Sequence, residues 1–258
     1  MRRIWNSFLI SFAMYSRIPV PRADWEKENM KYTMCFFPAI GAVVGLLLYI
    51  WGRVAAWLGF GSLMRAAGCV LLPVVVTGGI HLDGFLDTMD ALSSHQPQER
   101  KIEILKDSHA GAFAVIMGCA YFTLALGAWS EIDPALYPAL GIVFVLSRAL
   151  SALALAVFPK ANKKGSLALF SDAAQKKVLL VSLAVWIAGC AGILIVMDWR
   201  YALVILATAV VTFWYYHHMA MKEFGGTTGD IAGFFVQVME LACACTVMIT
   251  QCVLLAVR

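Results

Sequence analysis

The chain has 258 residues, 61% of them hydrophobic and only 14% charged, with a formal net charge of +4. A soluble domain carries about 25% charged residues, so this composition excludes an ordinary soluble enzyme. The charges are clustered, leaving apolar runs long enough to cross ~30 Å of hydrocarbon, and the modest positive charge marks loops between those runs, with nothing to suggest nucleic-acid binding.

The expected fold is all-α: a polytopic helical integral membrane protein of about seven transmembrane helices (six to eight), forming one domain over residues 1–258. Residues 1–34 read as an N-terminal cytoplasmic or interfacial segment. Within it, residues 4–16 are too short to span and predict an interfacial or re-entrant helix. Arg17 interrupts this stretch and no small-residue cleavage site follows, so a cleaved signal peptide is not expected. Ser16-Arg17-Ile18-Pro19-Val20-Pro21-Arg22 is extended, because alternating prolines forbid helix. Spans are expected at residues 35–57, 64–82, 110–129, 136–158, 178–197, 201–220 and 233–256. The first contains Gly41, Gly45 and Arg53, and the second has Pro73 and Gly78-Gly79 as kink points. Residues 83–109 read as a polar segment. The fourth span encloses Arg148 and the seventh Glu240, which are expected to pair. All seven cysteines lie in apolar stretches without CxxC or zinc-site spacing and read as small buried hydrophobes. Glycine-rich span faces permit a homo-oligomer.

Lys and Arg are concentrated in residues 1–33, 83–109 and 159–177, with Lys222 in residues 221–232, whereas the opposite loops are poorer. By the positive-inside rule the N-terminus and these three loops face the cytoplasm, and with seven spans the C-terminus lies outside. Every polar motif falls on that one side.

Asp83, Asp87 and Asp90 are spaced i, i+4, i+7 at the end of an apolar run, which places them on one helix face. Like charges there repel, and each is costly near lipid. Oxygen-only ligands favour a hard cation, Mg²⁺ first and Mn²⁺ second; the alternative is an acidic helix end in water. Glu103 and Asp107 form another i, i+4 pair able to share one or two ions with the first set, unless Glu103 pairs with Arg100 or Lys106 on a solvated face. His81 is a candidate ligand, base or structural hydrogen-bonding residue. Lys163 and Lys164, beside Gly165, either hold phosphate oxygens or belong to an ordinary positive loop. In Gly225-Gly226-Thr227-Thr228-Gly229-Asp230, backbone N–H groups at a helix N-terminus suit an anion, while Asp230 is either a cap or a further metal ligand.

Candidate catalytic residues are therefore Asp83, Asp87, Asp107 and His81. Candidate metal ligands are Asp83, Asp87, Asp90, Glu103, Asp107 and Asp230. Candidate substrate contacts are Arg17, Lys106, Arg148, Lys163, Lys164, Gly226 and Thr228. Such a set points to metal-assisted transfer of a phosphate-linked group at a membrane surface, because a cation neutralises the transferring and leaving oxygens.

Six segments in order carry a resemblance: Ser16-Arg17-Ile18-Pro19-Val20-Pro21; Phe37-Pro38-Ala39-Ile40-Gly41; the Gly78-Gly79-Ile80-His81-Leu82-Asp83-Gly84 stretch that runs on to Asp90; Glu103-Ile104-Leu105-Lys106-Asp107-Ser108-His109-Ala110-Gly111-Ala112; Ser147-Arg148; and Gly225 to Asp230. The chain resembles the cobalamin synthase family, the adenosylcobinamide-GDP ribazoletransferases. The resemblance implies a Mg²⁺-dependent enzyme of the prokaryotic cytoplasmic (inner) membrane. In its reaction a hydroxyl of α-ribazole, or of α-ribazole 5′-phosphate, attacks the cobinamide-linked phosphorus of adenosylcobinamide-GDP and GMP leaves. Asp83, Asp87, Asp90, Asp107 and Asp230 match the family's acidic positions. Many relatives carry Tyr-Ala-Arg where this chain has Lys160-Ala161-Asn162, so Lys163 or Lys164 would act there as a point charge. Gln237 stands where relatives often have Glu. CDP-alcohol phosphatidyltransferases also use spaced aspartates, but here Asp83-Gly84 is followed by Asp87 with no Ala-Arg pair, and the last aspartate spacing is three where that motif has four. A corrinoid transporter would place its site near the bilayer midplane.

Overall fold

The computed structural model describes residues 2–107, 109–161 and 175–257. Its α-helices in chain order are α1 (Arg2–Tyr15), α2 (Thr33–Trp57), α3 (Ser62–Thr77), α4 (Ile80–Ser93) and α5 (Gln98–Ile104). They continue with α6 (Ala112–Glu131), α7 (Tyr137–Val157), α8 (Lys176–Met197), α9 (Trp199–Phe224) and α10 (Gly229–Ala256). A 3₁₀ turn, Pro134–Leu136, leads into α7.

Six of these helices are long and apolar enough to cross a membrane: α2, α6, α7 with its leading turn, α8, α9 and α10; α3 and α4 together would make a seventh. The chain is thus an all-helical, polytopic membrane protein. Large apolar side chains such as Val185, Val196, Val210 and Trp214 face outward, as a lipid-facing surface requires.

The expected second span, residues 64–82, is not one helix. Gly78 and Gly79 both adopt positive φ, 66° and 79°, a conformation other residues enter at a cost. The chain consequently turns by 97° between α3 and α4. The 14 residues of α4 reach only ~21 Å, too short to span. This helix lies outside the six spans and packs chiefly on α10 and α6. Residues 83–93, read from sequence as part of a polar segment, are therefore helical, and the acidic motif has a helix of its own.

The bundle is held by close helix contacts. Where α2 meets α7, a Cβ on Gly41 would fall 2.1 Å from the Phe144 carbonyl oxygen and one on Gly45 2.5 Å from that of Gly141. That small-residue face is used inside the chain, so it offers no surface to a second copy. Arg148 is fully buried between α7 and α10, where Nη1 lies 2.7 Å from Glu240 Oε1 and 2.9 Å from the Phe144 carbonyl. Ser147 Oγ donates to the same Glu240 oxygen at 2.7 Å. Four cysteines, Cys35, Cys69, Cys190 and Cys243, are buried as expected; Cys119 and Cys252 are exposed.

Two ends of the bundle differ. One end has short connections: Arg65 bonds the Phe60 carbonyl, and Gln251 bridges Glu131 and Asp133. At the other end, α1 docks on α2 through Leu9, Ile10 and Phe12, the extended strap passes Arg17 N–H to the Val76 carbonyl at 2.8 Å, and α4 and α5 lie over the helix ends. Every polar motif from the sequence that the structure describes is at this second end.

Candidate active site

The site is built where α4 crosses the first turn of α10. The crossing is close because Gly84 has no side chain: a Cβ there would lie 2.6 Å from the Asp230 carbonyl oxygen. One turn earlier, the His81 backbone faces Gly233, and the Phe85 and Phe234 rings stack at 5.7 Å, 8° from parallel. Gly84 lies between Asp83 and Asp87 in sequence, so the contact that joins the helices also sets Asp230 beside those carboxylates.

Thr228, and not Asp230, caps α10: its Oγ1 accepts from Ile231 N–H at 3.2 Å. The cap leaves the Asp230 carboxylate to the cluster, with Thr228 Oγ1 3.5 Å away. Asp83 is exposed, and Asp87, Asp90 and Asp230 are half-buried. Burial, followed by the charges of Asp83, Asp230 and Asp90, pushes the Asp87 carboxyl up to about 7. Among the described residues no ion pair involves any of the four. Asp90 also steadies the entry to α6, accepting from Ala114 N–H at 3.4 Å.

Oxygen donors with excess negative charge suit a hard divalent cation. Among the described residues, however, no three His, Cys, Asp or Glu side chains meet at one ion position. The set fits a cation by its chemistry and charge, without a finished coordination sphere.

Several sequence candidates fall elsewhere. Glu103 is 61% exposed and takes Arg100 as its partner at 2.5 Å, the solvated-face alternative. Asp107 is 57% exposed and accepts from its neighbour His109 through both backbone N–H and ring. Neither is among the charges acting on Asp87, because α5 is turned toward the end of α9 by Gln98 bonding the Lys222 carbonyl and Lys101 pairing with Glu223. Arg148 is sealed against Glu240 and does not face a ligand. The expected anion loop is also corrected: Gly225 N–H is bonded to the Met221 carbonyl, Gly226 N–H to that of Ala220 and Thr227 N–H to that of Pro159. Gly226 and Thr228 are thus committed to closing α9, bridging to residues 159–161 and capping α10. Lys106 is exposed at the end of α5. Lys163 and Lys164 lie outside the described residues.

Two cavities border the cluster. The larger, about 650 Å³, lies between the end of α1 and the α3–α4 bend and is lined by Ser16, Arg17, Thr77, Gly79 and Asp83. The smaller, about 190 Å³, is walled by Tyr15, Phe37, His81, Ser151, Leu155 and Asp230. Met14 and Ile80 border both. Sequence reasoning missed Tyr15, Phe37, Ser151 and Leu155, which carry no motif and meet only through packing. His81, 4% exposed, sits against Phe37 at 5.6 Å and Tyr15 at 6.5 Å. Burial, then the charge of Arg148, holds its pKa well below the ordinary value, so the ring is neutral.

Fold and site together define a polytopic membrane protein with a cluster of four carboxylates, unpaired among the described residues, and two cavities at one end of its bundle. The chain belongs to the cobalamin-5-phosphate synthase family, whose sequence profile matches residues 7–248. It is 40% identical over 250 residues to an adenosylcobinamide-GDP ribazoletransferase of Lachnoclostridium phytofermentans, covering 97% of this chain and 96% of that one. Proteins of the same name from Brevibacillus brevis (31% identical, 91% and 94% covered) and Clostridium botulinum strain Eklund 17B (28%, 93% and 96%) are also similar. No solved structure matches the chain.

Proposed function

We propose that this chain is a Mg²⁺-dependent adenosylcobinamide-GDP ribazoletransferase of a prokaryotic inner membrane, with its site at the cytoplasmic face. It joins the adenosylcobinamide-phosphate part of adenosylcobinamide-GDP to α-ribazole or its 5′-phosphate and releases GMP, making adenosylcobalamin or its 5′-phosphate. Family membership supports the reaction. The observation that carries the site is the gathering of Asp83, Asp87, Asp90 and Asp230 where α4 crosses α10, with no Lys or Arg among the described residues paired to them.

In the reaction the acceptor hydroxyl oxygen forms a bond to the cobinamide-linked phosphorus. The bond from that phosphorus to the pyrophosphate bridging oxygen breaks, and GMP departs with the electron pair. The hydroxyl proton passes to a carboxylate oxygen of the cluster. Asp83, Asp87, Asp90 and Asp230 would hold the cation. When bound, Mg²⁺ or Mn²⁺ supplies the positive charge that offsets the pyrophosphate and its leaving oxygen. Arg17, which lines the larger cavity together with Asp83, would supply a cation for a phosphate. The bend at Gly78-Gly79 brings both residues to the same cavity.

The test is turnover in nanodiscs containing the purified chain, adenosylcobinamide-GDP, α-ribazole and Mg²⁺, with GMP and cobalamin followed by chromatography. The two products should appear in equal amounts and cease on adding EDTA. Folded protein that yields neither overturns the transferase reading, and turnover indifferent to EDTA removes the metal from it.

A further inference from the structure

We infer that the 190 Å³ cavity between α1, α2, α4, α7 and α10 is the seat of the acceptor's heteroaromatic base, and that it selects an apolar bicyclic ring over a purine. The inference rests on the transferase reading and assigns one substrate to one place within it.

Size is the first argument. At about 30 Å³ per molecule, the cavity would hold roughly six waters. Its walls are chiefly apolar: Met14, Met34, Phe37, Ile80, Leu155 and Ala232. Water gains little there, and a flat bicyclic ring gains dispersion contacts over its faces. Aromatic rings already border the space, since Tyr15 packs on Phe37 at 4.6 Å and both flank His81.

Polar accounting is the second argument. Guanine and adenine each present several edge donors and acceptors, and burying them unpaired is unfavourable. Apart from Asp230, at the edge shared with the carboxylate cluster, the wall offers few partners. Tyr15 hydroxyl is engaged with Met34 Sδ at 3.6 Å, and Ser151 Oγ with the Ala232 carbonyl at 3.4 Å. His81 Nε2 is buried with no hydrogen-bond partner among the described residues. The dimethylbenzimidazole base of α-ribazole has one ring nitrogen left once its glycosidic bond is made, and two methyl groups in place of polar substituents. Such a base leaves a single acceptor nitrogen to satisfy, and the wall need supply only one donor.

Position is the third argument. Asp230 borders the cavity and belongs to the carboxylate cluster, and Met14 and Ile80 are shared with the larger cavity that holds Asp83 and Arg17. A nucleoside with its base in the small cavity would extend its ribose toward the carboxylates. Its hydroxyl then reaches the cluster, and a 5′-phosphate reaches toward Arg17.

The experiment uses the full chain in nanodiscs, with α-ribazole binding read by equilibrium dialysis and both KM values read by turnover. Leu155→Phe fills the cavity. A misplaced methylene in a fitted pocket changes discrimination by about 10-fold or more. The variant should weaken α-ribazole binding and raise its KM by that factor while leaving the KM for adenosylcobinamide-GDP unchanged. Free 5,6-dimethylbenzimidazole should compete with α-ribazole, and guanosine should not. Leu155→Ala removes wall contact without overpacking and should also weaken α-ribazole, which covers the case of a Leu155→Phe chain that does not fold. Unchanged α-ribazole binding in the folded variants overturns the assignment, as does competition by guanosine with a raised KM for adenosylcobinamide-GDP. Binding that is lost in the variants when the wild type shows no turnover upholds the base pocket and removes the transferase reading. Turnover with unaffected variants does the reverse, and a wild type that neither binds nor turns over α-ribazole overturns both.

Discussion

The same apolar bundle treats its carboxylates in two opposite ways. Midway along α10, Glu240 is 8% exposed and is answered within the chain by Arg148 and Ser147. At the start of the same helix, Asp230 joins Asp83, Asp87 and Asp90, and no Lys or Arg among the described residues pairs with them. A buried charge must be compensated. Glu240 has its cation built in, which makes it part of the framework. Asp83 is exposed and the other three aspartates are half-buried beside two cavities, with their repulsion unrelieved by any described side chain. Compensation from within the chain makes Glu240 part of the framework, whereas the proposed site rests on four carboxylates that no described side chain compensates.

The sharpest way to break this contrast is to neutralise each region and read both activity and stability. Asp87→Asn or Asp83→Asn should lower turnover by on the order of 10²–10³-fold, the range seen when a fixed electrostatic contact to a reacting group is removed. The melting temperature should hold or rise, because repulsion is relieved; a variant with full turnover removes that aspartate from the site. Glu240→Ala should do the opposite kind of damage. Stranding Arg148 should cost about 3–5 kcal/mol of stability, read by thermal unfolding in detergent, while Arg148→Met combined with Glu240→Leu recovers much of it. A Glu240→Ala chain as stable as wild type would show that the pair is not part of the framework.

The pH dependence separates the regions further. Asp87 titrates at about 7, above its ordinary value, so in metal-free protein its neutral form is the one the fold favours. That contribution to stability is present below the unfolded pKa and is lost as pH rises through about 7. The melting temperature in EDTA should therefore fall between about pH 4 and 7 and level off above that, and Mg²⁺ should remove the fall, because cation and proton compete for the same carboxylates. A slope that Mg²⁺ leaves untouched would sink the shared-site interpretation. The smallest effect belongs to Glu103→Ala. Its exposed pair with Arg100 should be worth no more than ~0.5 kcal/mol, with turnover unchanged; a large loss of activity would return Glu103 to the site.

Much of the fold was legible in the residues. Long apolar runs announce the spans, and α2, α6, α7, α8, α9 and α10 fall on them to within a few positions. The i, i+4, i+7 spacing places Asp83, Asp87 and Asp90 on one face, and the need for compensation pairs Arg148 with Glu240. Other features were hidden. Gly78-Gly79 signals a kink but carries no angle, so the separation of α4 from α3 was missed. The 225–230 stretch reads equally well as an anion loop or a helix stop. The N–H groups of Gly225, Gly226 and Thr227 are taken by carbonyls of residues 221, 220 and 159, and the last of these lies far off in sequence. Glu103 could face either way until Lys101 and Gln98 anchored α5 on the end of α9.

By itself the sequence determined the membrane class, the helical spans, the acidic face of α4 and, through its ordered motifs, the family. These follow from local quantities: side-chain transfer free energies summed along a run, and the helical repeat. Tertiary structure alone decided that Asp230 completes the cluster while Glu103 and Asp107 stand apart, and that Tyr15, Phe37, His81 and Leu155 enclose one cavity. The reason is that such groupings depend on how closely two backbones approach. That distance is set at Gly84 against Asp230 and at the 97° turn between α3 and α4, by contacts between residues with no local record of each other.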